Sequence, residues 1–478
     1  MTDPLQINAF LAAIEGIDFS QDNQTLAVKS KDYYWYSPIL AKTLSDKLGE
    51  VVVKPKTRAE VVRVAAAACR QQIHLTVRGG GTGNYGQCVP LVGGIVLDLT
   101  GLNRVLSIEP GRVTCEAGAV MMDVERAVRA NPCVQGGQEL LMYPSTRDIA
   151  TVGGFVGGGY GGAGSIRNGI LKDPGNVTSI KVVTLEAQPR VIELVNTDIQ
   201  KVHHAFGTNG IMVELTLSLK PAVDWIHHIA LFDGYSEALS LCVSATEAVK
   251  QTVAIGANDS ANAKLLDAFL ITAVERRFAP FYEKEFGERF PHNRDAVFSM
   301  IHPDYMDRWR AMVAEHGGVE TLAMTEQELS MAAIPPAFEC GWNHTTLMAL
   351  RQDSSWTNLQ TIHSWPLDIG QIEEQMQRWG DEVLMHHEFA RDHDGAVVFG
   401  LPLVAYFDKD RLYEIINEFE ADGCVVLDNH VYTIEGGGMK TIDSAQIDFK
   451  KVADPHGLMN PGKTEGWRDE MRVPFERL

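Results

Sequence analysis

Arg78-Gly-Gly-Gly-Thr-Gly-Asn-Tyr-Gly86 decides how the chain is read. Its last six residues, Gly81-Thr-Gly-Asn-Tyr-Gly86, match G-x-G-x-x-G and follow Leu75–Val77, which reads as a short strand. A dinucleotide fingerprint must open a helix, so that the helix N-terminus meets the pyrophosphate. Here Gln87-Cys-Val-Pro90 and Gly93-Gly94 come next, and the following element reads as a strand ending at Asp98. A nicotinamide-type reading therefore lacks its context. No Lys-Ser/Thr pair follows to make a nucleoside-triphosphate loop. What the glycines supply is backbone free to adopt φ > 0, with amides converging on an anion and no side chain to block close approach. Arg78 beside them is a candidate source of charge.

The flanking sequence places this loop in a β-α-β unit. Val51–Val53 reads as a strand, Thr57-Arg-Ala-Glu60 has the spacing of a capping box, and Val61, Val62, Val64, Ala65 and Ala68 give a helix with an apolar face. Strands are expected at Gly94–Leu99, Arg104–Ile108, Val113–Glu116, Val177–Leu185 and Val191–Leu194, with a helix at Val120–Ala130. Ile211–Leu219 alternates like a strand and meets Lys220-Pro221, a plausible boundary. A second run, Thr151-Val-Gly-Gly-Phe-Val-Gly-Gly-Gly-Tyr-Gly-Gly-Ala-Gly-Ser165, holds eight glycines in positions 153–164. Phe155, Val156 and Tyr160 are interleaved, so backbone packed against a large flat or diphosphate ligand fits better than a flexible linker.

Composition sets the outer limits. With 478 residues, 22% charged and 45% hydrophobic, the chain is an ordinary globular protein of two or three domains. A net charge of -20 argues against general nucleic-acid binding and against an anionic membrane surface. No apolar run reaches the roughly 18 residues of a spanning helix. Met1–Phe10 lacks the pattern of a secretory signal, and seven dispersed cysteines without a CxxC argue against a disulfide framework. The expectation is a cytoplasmic protein without a membrane span, compatible with a homo-oligomer.

The two glycine runs, with two later stretches, resemble the vanillyl-alcohol oxidase/p-cresol methylhydroxylase (PCMH-type) flavoproteins, in their FAD-linked oxidase/dehydrogenase branch. Arg78–Gly86 is similar to the first pyrophosphate loop of that family, and Val152-Gly-Gly154 with the glycines after it to the second FAD segment. His204-Ala-Phe-Gly-Thr-Asn-Gly-Ile211 resembles the segment beside the adenine, and Asp454-Pro-His-Gly-Leu-Met-Asn-Pro-Gly-Lys463 the C-terminal signature. The resemblance implies an α+β fold. Residues 1–222 would form a PCMH-type FAD-binding domain of two α+β subdomains, and 223–440 a substrate (cap) domain with an antiparallel sheet flanked by helices. Residues 441–478 would return to the FAD domain. It also implies the cofactor site. The amides of Gly79, Gly80, Gly81, Thr82 and Gly83 would hold the pyrophosphate, with Arg78, Tyr85, Gly86 and Gln87 around them. Pro144, Ser145, Thr151, Gly153, Gly154, Gly157, Gly158, Gly161, Gly164 and Ser165 would line the ribityl chain and ring. Gly210 and Ile211 would contact the adenine, and Asn460 and Lys463 would close the site. Some members tether the flavin through a histidine where Thr82 stands, so non-covalent FAD is the default, with a tether from a second-domain histidine left open.

The reaction implied is oxidation of a small alcohol or hydroxy acid, with oxygen or another electron acceptor taking the electrons. The H-x-G-D-G-N stretch of hydroxy-acid relatives is missing, and near the place of their E-H-G stretch stands Asp428-Asn-His-Val-Tyr-Thr-Ile-Glu-Gly-Gly-Gly438, so a phenolic or amine substrate is the alternative. A flavin-binding electron-transfer subunit that needs a partner chain is a rival of another class. In Leu427–Glu435, read as a strand, His430 and Tyr432 share a face and make a candidate base and hydrogen-bond partner. Trp342-Asn-His-Thr-Thr346, read the same way, puts Trp342 and His344 on one side. His386-His387-Glu388 reads as an exposed polar stretch whose ligands diverge, so no metal is expected.

Overall fold

The computed structural model describes residues 2–255, 262 and 264–475. Thr57 opens the helix Arg58–Arg70 by accepting from Glu60 N at 3.2 Å, while the Glu60 carboxylate reaches back to Lys56 N at 2.7 Å, one residue beyond a regular capping box. Val61, Val64, Ala65 and Ala68 on this helix are buried with the strands Val51–Lys54, Leu75–Arg78 and Ile95–Asp98. Those strands are parallel, Ile95–Asp98 lies in the middle, and Asp18–Ser20 adds an antiparallel edge. After Gly86 the chain turns through Val89 and Pro90 straight into Ile95–Asp98. A strand, not a helix, follows the first glycine loop, and the nicotinamide reading fails on that point.

The second sheet is antiparallel and is built around Ile211–Pro221. Arg112–Glu116 and Val177–Val183 flank it, Val105–Glu109 and Val191–Val195 form the edges, and Gln138–Leu140 pairs with its far end. The second glycine run begins as the helix Val152–Gly158, whose Val152, Phe155 and Val156 are buried in the same core as Met212 and Leu215. The third sheet has eight antiparallel strands in the order Val319–Thr325, Ile226–Phe232, Asp295–Ile301, Ala268–Val274, His386–Asp392, Gly395–Gly400, Gln360–His363 and Val425–Leu427. The helices Tyr235–Ile255, Ile369–Trp379 and Lys409–Ala421 cover one face, over Val398, Phe389 and Ala273. Phe399 on the opposite face meets Trp342 and Tyr160. This is the α+β architecture expected, with an antiparallel sheet flanked by helices. Among the described residues no helix is long and apolar enough to cross a membrane.

Three local expectations are corrected. The strand at 427–435 ends at Leu427, and residues 428–438 turn, because Asp428 takes the amide of His430 and Gly437 and Gly438 bond back to Thr433 and Glu435. His430 and Tyr432 therefore share no strand face. Residues 342–346 are not extended either: Trp342 has φ 51° and His344 begins the helix His344–Gln352. His386, His387 and Glu388 are 1% exposed or less, within a central strand, so the stretch read as exposed is core. The sheet pays out their polar groups locally: His386 and Glu388 bond each other at 2.9 Å, and His387 Nδ1 bonds the Tyr235 hydroxyl at 2.9 Å on the other side.

The C-terminal signature closes the first sheet. Leu75 N donates to Leu458 O at 3.0 Å and Asn460 N to Leu75 O at 2.9 Å, a parallel bridge beside the strand that leads into the glycine loop. Fully buried Asp454 holds that turn, accepting from Leu458 N at 2.9 Å, Met459 N at 2.8 Å and Lys450 Nζ at 2.7 Å. Asp454→Ala leaves two amides without their acceptor and the buried Lys450 ammonium, which keeps the Thr208 and Met459 carbonyls, without its counter-charge. It is expected to cost about 3–5 kcal/mol, read as a fall in the urea midpoint, with Asp454→Asn losing less.

Candidate functional site

Strand Leu75–Arg78 delivers the first glycine run against the second. A Cβ at Gly79 would overlap the Thr151 hydroxyl, one at Gly80 the Ile149 carbonyl, and one at Gly83 the Gln87 side chain. Gly81 has φ 69°, which glycine alone takes without strain. Among the described residues, none of the amides from Gly79 to Gly83 donates a hydrogen bond within the protein. Thr151 caps the second run by accepting from Gly154 N at 3.2 Å.

Both runs face one cavity of about 230 Å³. Of the expected cofactor residues, Gly79, Gly80, Gly81, Thr82, Gly83, Tyr85, Gln87, Pro144, Ser145, Thr151, Gly153, Gly154, Gly157, Gly158, Gly161 and Gly210 line it, as does Trp342. Arg78, Gly86, Gly164, Ser165, Ile211, Asn460 and Lys463 stand behind the wall. Arg78 is buried and donates to Lys29 O, Lys31 O and Cys88 Sγ, tying the N-terminal segment under the loop instead of facing a ligand. Ser165 Oγ accepts from Gly162 N at 3.0 Å, and Ile211 is fully buried in its strand. Asn460 Nδ2 donates to Gln87 O at 2.8 Å and Phe206 O at 2.6 Å, and Lys463 Nζ donates to Gly86 O at 2.6 Å. Burial pushes the Asp32 carboxyl up and the Lys463 ammonium down, and each restrains the other's shift through its charge.

The catalytic candidates divide. Trp342 lines the cavity, whereas His430, Tyr432 and His344 do not. His430 is 2% exposed, and its Nδ1 bonds Ser37 Oγ at 2.7 Å; burial takes its pKa down to about 4. Tyr432 packs against Tyr34, Leu40, Leu44 and Val89. Sequence reading missed Asp32, Tyr160, His204, Phe206, Asn343, Gln360 and Phe399 on the wall. His204 was readable, since it opens the adenine-side motif. It has φ 48° and stacks on Phe206 with ring centroids 5.4 Å apart; burial, then the nearby Lys440 charge, takes its pKa down to about 3. Gln360 joins the loop to the third sheet: its Oε1 accepts from the Tyr85 hydroxyl at 2.5 Å and its Nε2 donates to Asn343 Oδ1 at 3.1 Å.

The wall is built for a ligand with a diphosphate and a ring. Its glycines leave no Cβ in the way, its loop amides are unused, and Asn84 Nδ2, Gln87 Oε1 and Trp342 Nε1 are buried with no partner among the described residues. The comparisons with known proteins agree. The family described as FAD binding domain matches residues 49–193. An uncharacterized oxidoreductase, ORF5 in the fasciation locus of Rhodococcoides fascians, is 32% identical over 184 residues, 38% of this chain and 40% of that protein. D-2-hydroxyglutarate dehydrogenase of Escherichia coli (strain K12) is 31% identical over 161 residues, 31% of this chain and 15% of that protein. The matched stretch thus spans well under two thirds of either relative. Two solved structures share the fold over nearly the whole chain. Alkyldihydroxyacetonephosphate synthase has a TM-score of 0.69 at 12% identity, covering 97% of this chain and 86% of its own. The 4-ethylphenol oxidase from Gulosibacter chungangensis, in an isoeugenol complex, has 0.68 at 17% identity, covering 98% and 99%. The chain carries an FAD-binding domain, and its cofactor is FAD.

Two outcomes follow from this geometry. Gly154 faces the cavity, and a Cβ there meets only the Thr151 hydroxyl, at 2.9 Å, and Gly79 Cα, at 3.9 Å. Gly154→Ala is expected to leave the melting temperature of the FAD-free protein level or lower, because the gain of about 1 kcal/mol from alanine in the helix is offset by displacing the Thr151 hydroxyl that caps it, a loss of about 1 kcal/mol. FAD affinity, measured by titration, should fall about tenfold or more because the methyl group fills the cradle. The second outcome concerns pH. His430 has its pKa depressed in the folded state, so its contribution is present above about 6.5 and is lost as pH falls toward 4. Between those limits the wild type should lose about 3 kcal/mol more stability than His430→Gln, read from denaturation midpoints across pH.

Proposed function

We propose that this protein is an FAD-dependent oxidoreductase that oxidises a small organic alcohol or hydroxy acid. The observation that carries the reading is the junction of two kinds of wall in one cavity. One side is bare glycine backbone with unused amides. The other, from the third sheet and the segment before it, is Trp342, Asn343, Gln360, Thr361, Phe399 and Leu401. Bound FAD supplies the hydride acceptor, the hard part of the chemistry. The protein's part is to hold the pyrophosphate on the amides of Gly79 to Gly83, pack the ring on Gly157 to Gly161, and orient a substrate on the facing wall. The Tyr85–Gln360–Asn343 chain offers uncharged hydrogen-bonding groups for a substrate hydroxyl. His430, Tyr432 and His344 sit behind that wall, so in this reading direct contact falls to Trp342, Asn343 and Gln360. Residues 1–222 would carry the FAD, 223–440 the cap, and 441–478 the closing clamp, in a cytoplasmic enzyme that passes electrons to oxygen or another acceptor.

A phenolic or other neutral aromatic substrate is favoured by a specific observation. No lysine or arginine lines the cavity among the described residues, and Asp32 is the acidic residue on the wall. A hydroxy acid brings a carboxylate that needs a cation or a fork of donors. An aromatic alcohol needs a flat apolar slot, which Trp342, Phe399 and Tyr160 provide.

The test begins with the visible spectrum of the purified protein, repeated on the supernatant after acid precipitation. A flavin spectrum that moves to the supernatant is expected, since Thr82 cannot form the usual tether. Anaerobic mixing should then bleach the flavin with uncharged aromatic alcohols at least about tenfold faster than with D-lactate or D-2-hydroxyglutarate. Faster bleaching by the hydroxy acids would overturn the preference. A flavoprotein that no donor reduces would favour the electron-transfer subunit.

A further inference from the structure

Tyr85 stands in the first glycine loop as a buried phenol. It is 5% exposed and packs against Phe206 and Ile434. Burial holds its pKa well above the usual tyrosine range, so the hydroxyl keeps its proton. Among the described residues that hydroxyl has one partner, Gln360 Oε1 at 2.5 Å. A buried O–H needs an acceptor, and of the two ends of a carboxamide only the oxygen accepts. The phenol therefore decides which way Gln360 points. Turned over, Gln360 would leave the phenol proton with nothing to receive it.

The direction is passed on. With its oxygen on Tyr85, Gln360 presents Nε2 to Asn343 and donates to Asn343 Oδ1 at 3.1 Å. Asn343 in turn has its oxygen engaged and its Nδ2 directed away from Gln360. It lies just before the helix His344–Gln352, is half-buried and lines the cavity, as Gln360 does. Asn343 Nδ2 has no acceptor among the described residues, and it is not enclosed: it keeps accessible surface, unlike Trp342 Nε1 beside it. The three side chains thus form one directed chain, from the glycine loop through the third sheet to a free N–H2 group at the cavity wall. Hydrogen bonds that run the same way polarise one another, which strengthens the last donor.

We propose that Asn343 Nδ2 donates to an acceptor oxygen of the organic substrate, and that Tyr85 is the positioning residue that sets this polarity through Gln360. The inference rests on the cavity being the flavin and substrate site. It narrows the substrate to compounds with an oxygen lone pair at that point: a carbonyl, a phenol or an alcohol. A protonated amine carries donors only and would meet a donor there, so the wall selects against it. Groups that orient a contact residue without taking part in the contact are how a site keeps its geometry.

The test compares benzaldehyde with styrene on the FAD-loaded protein. The two share a shape and differ by a carbonyl oxygen in place of a CH2 group. Binding is read from perturbation of the flavin absorption under anaerobic conditions. The quantity compared between wild type and variants is the ratio of the two affinities, which cancels the difference in their hydrophobicity. In Asn343→Leu the ratio should move toward styrene by roughly three- to tenfold, the range for one net hydrogen bond. Gln360→Glu is the sharper variant. Its carboxylate still accepts from Tyr85 but cannot donate to Asn343, so the Asn343 amide turns over and shows its oxygen to the cavity. The ratio should fall at least as far, although Asn343 itself is intact. Tyr85→Phe frees Gln360 to take either orientation and should give a smaller fall. A merely structural role would lower both affinities together, and a ratio that stays within about twofold of wild type in Asn343→Leu or Gln360→Glu would overturn the proposal. A wild type whose flavin neither probe perturbs would instead remove the aromatic reading of the cavity, and this inference with it.

Discussion

No Cβ fits where the two glycine runs meet, and the rest of the structure is arranged around that contact. A side chain at Gly79 would overlap the Thr151 hydroxyl and come within 3.5 Å of Gly154 Cα, and one at Gly153 would lie 2.7 Å from Ala117 Cβ. Thr151 therefore has two jobs: it caps the helix Val152–Gly158 and it sets the spacing between the runs. The first run arrives on a parallel strand, the second on a helix packed against the antiparallel sheet, so two separate cores must come into register for the cavity to exist. A substitution deep in either core moves one run relative to the other, which is why a site made of backbone depends on the packing of two sheets.

The two ends of the chain secure that register from behind. Arg78, at the end of the strand, donates to carbonyls of residues 29 and 31, while Tyr33 N donates to Gly83 O at 2.7 Å. Asn460 and Lys463 bond the carbonyls of Gln87, Phe206 and Gly86. The carbonyls of Gly83, Gly86 and Gln87 are thus occupied by the protein, while the amides of Gly79 to Gly83 are not. That asymmetry fits an anion: had the amides been satisfied internally, the glycines would have made only a tight turn.

Much of this was legible in the sequence because it depends on local order. Thr57 and Glu60 mark a helix start, Pro90 excludes a helix after Gly86, and the alternation of Ile211–Leu219 marks the central strand of the second sheet. The glycine runs were readable as a site because glycine in such density is unfavourable unless backbone must approach something closely. The facing wall was not readable. Tyr85, Gln360 and Asn343 are joined by hydrogen bonds between residues 275 and 17 positions apart, and no spacing rule reports contacts of that range. The strand reading of Leu427–Glu435 failed because Asp428 captures the His430 amide, a side-chain–backbone bond that competes with the ladder. His386–Glu388 was misread because paired polar groups can be buried as neighbours on one strand, whereas a polar run in sequence suggests solvent.

The energetics of the second glycine run bear on how the cofactor is used. Val152–Gly158 is a seven-residue helix containing four glycines. At about 1 kcal/mol each relative to alanine, these weaken the helix by about 4 kcal/mol. An isolated helix of this length is already marginal in water. Packing of Phe155 and Val156 offsets part of the deficit. A ligand that binds only the folded form at a thousand times its dissociation constant adds about 4 kcal/mol of stability, the same size as the glycine penalty. FAD bound to the glycine wall would therefore offset a penalty of that size. Loss of FAD should accordingly loosen the segment around Val152–Gly158 before the parallel sheet, whose core does not include this helix.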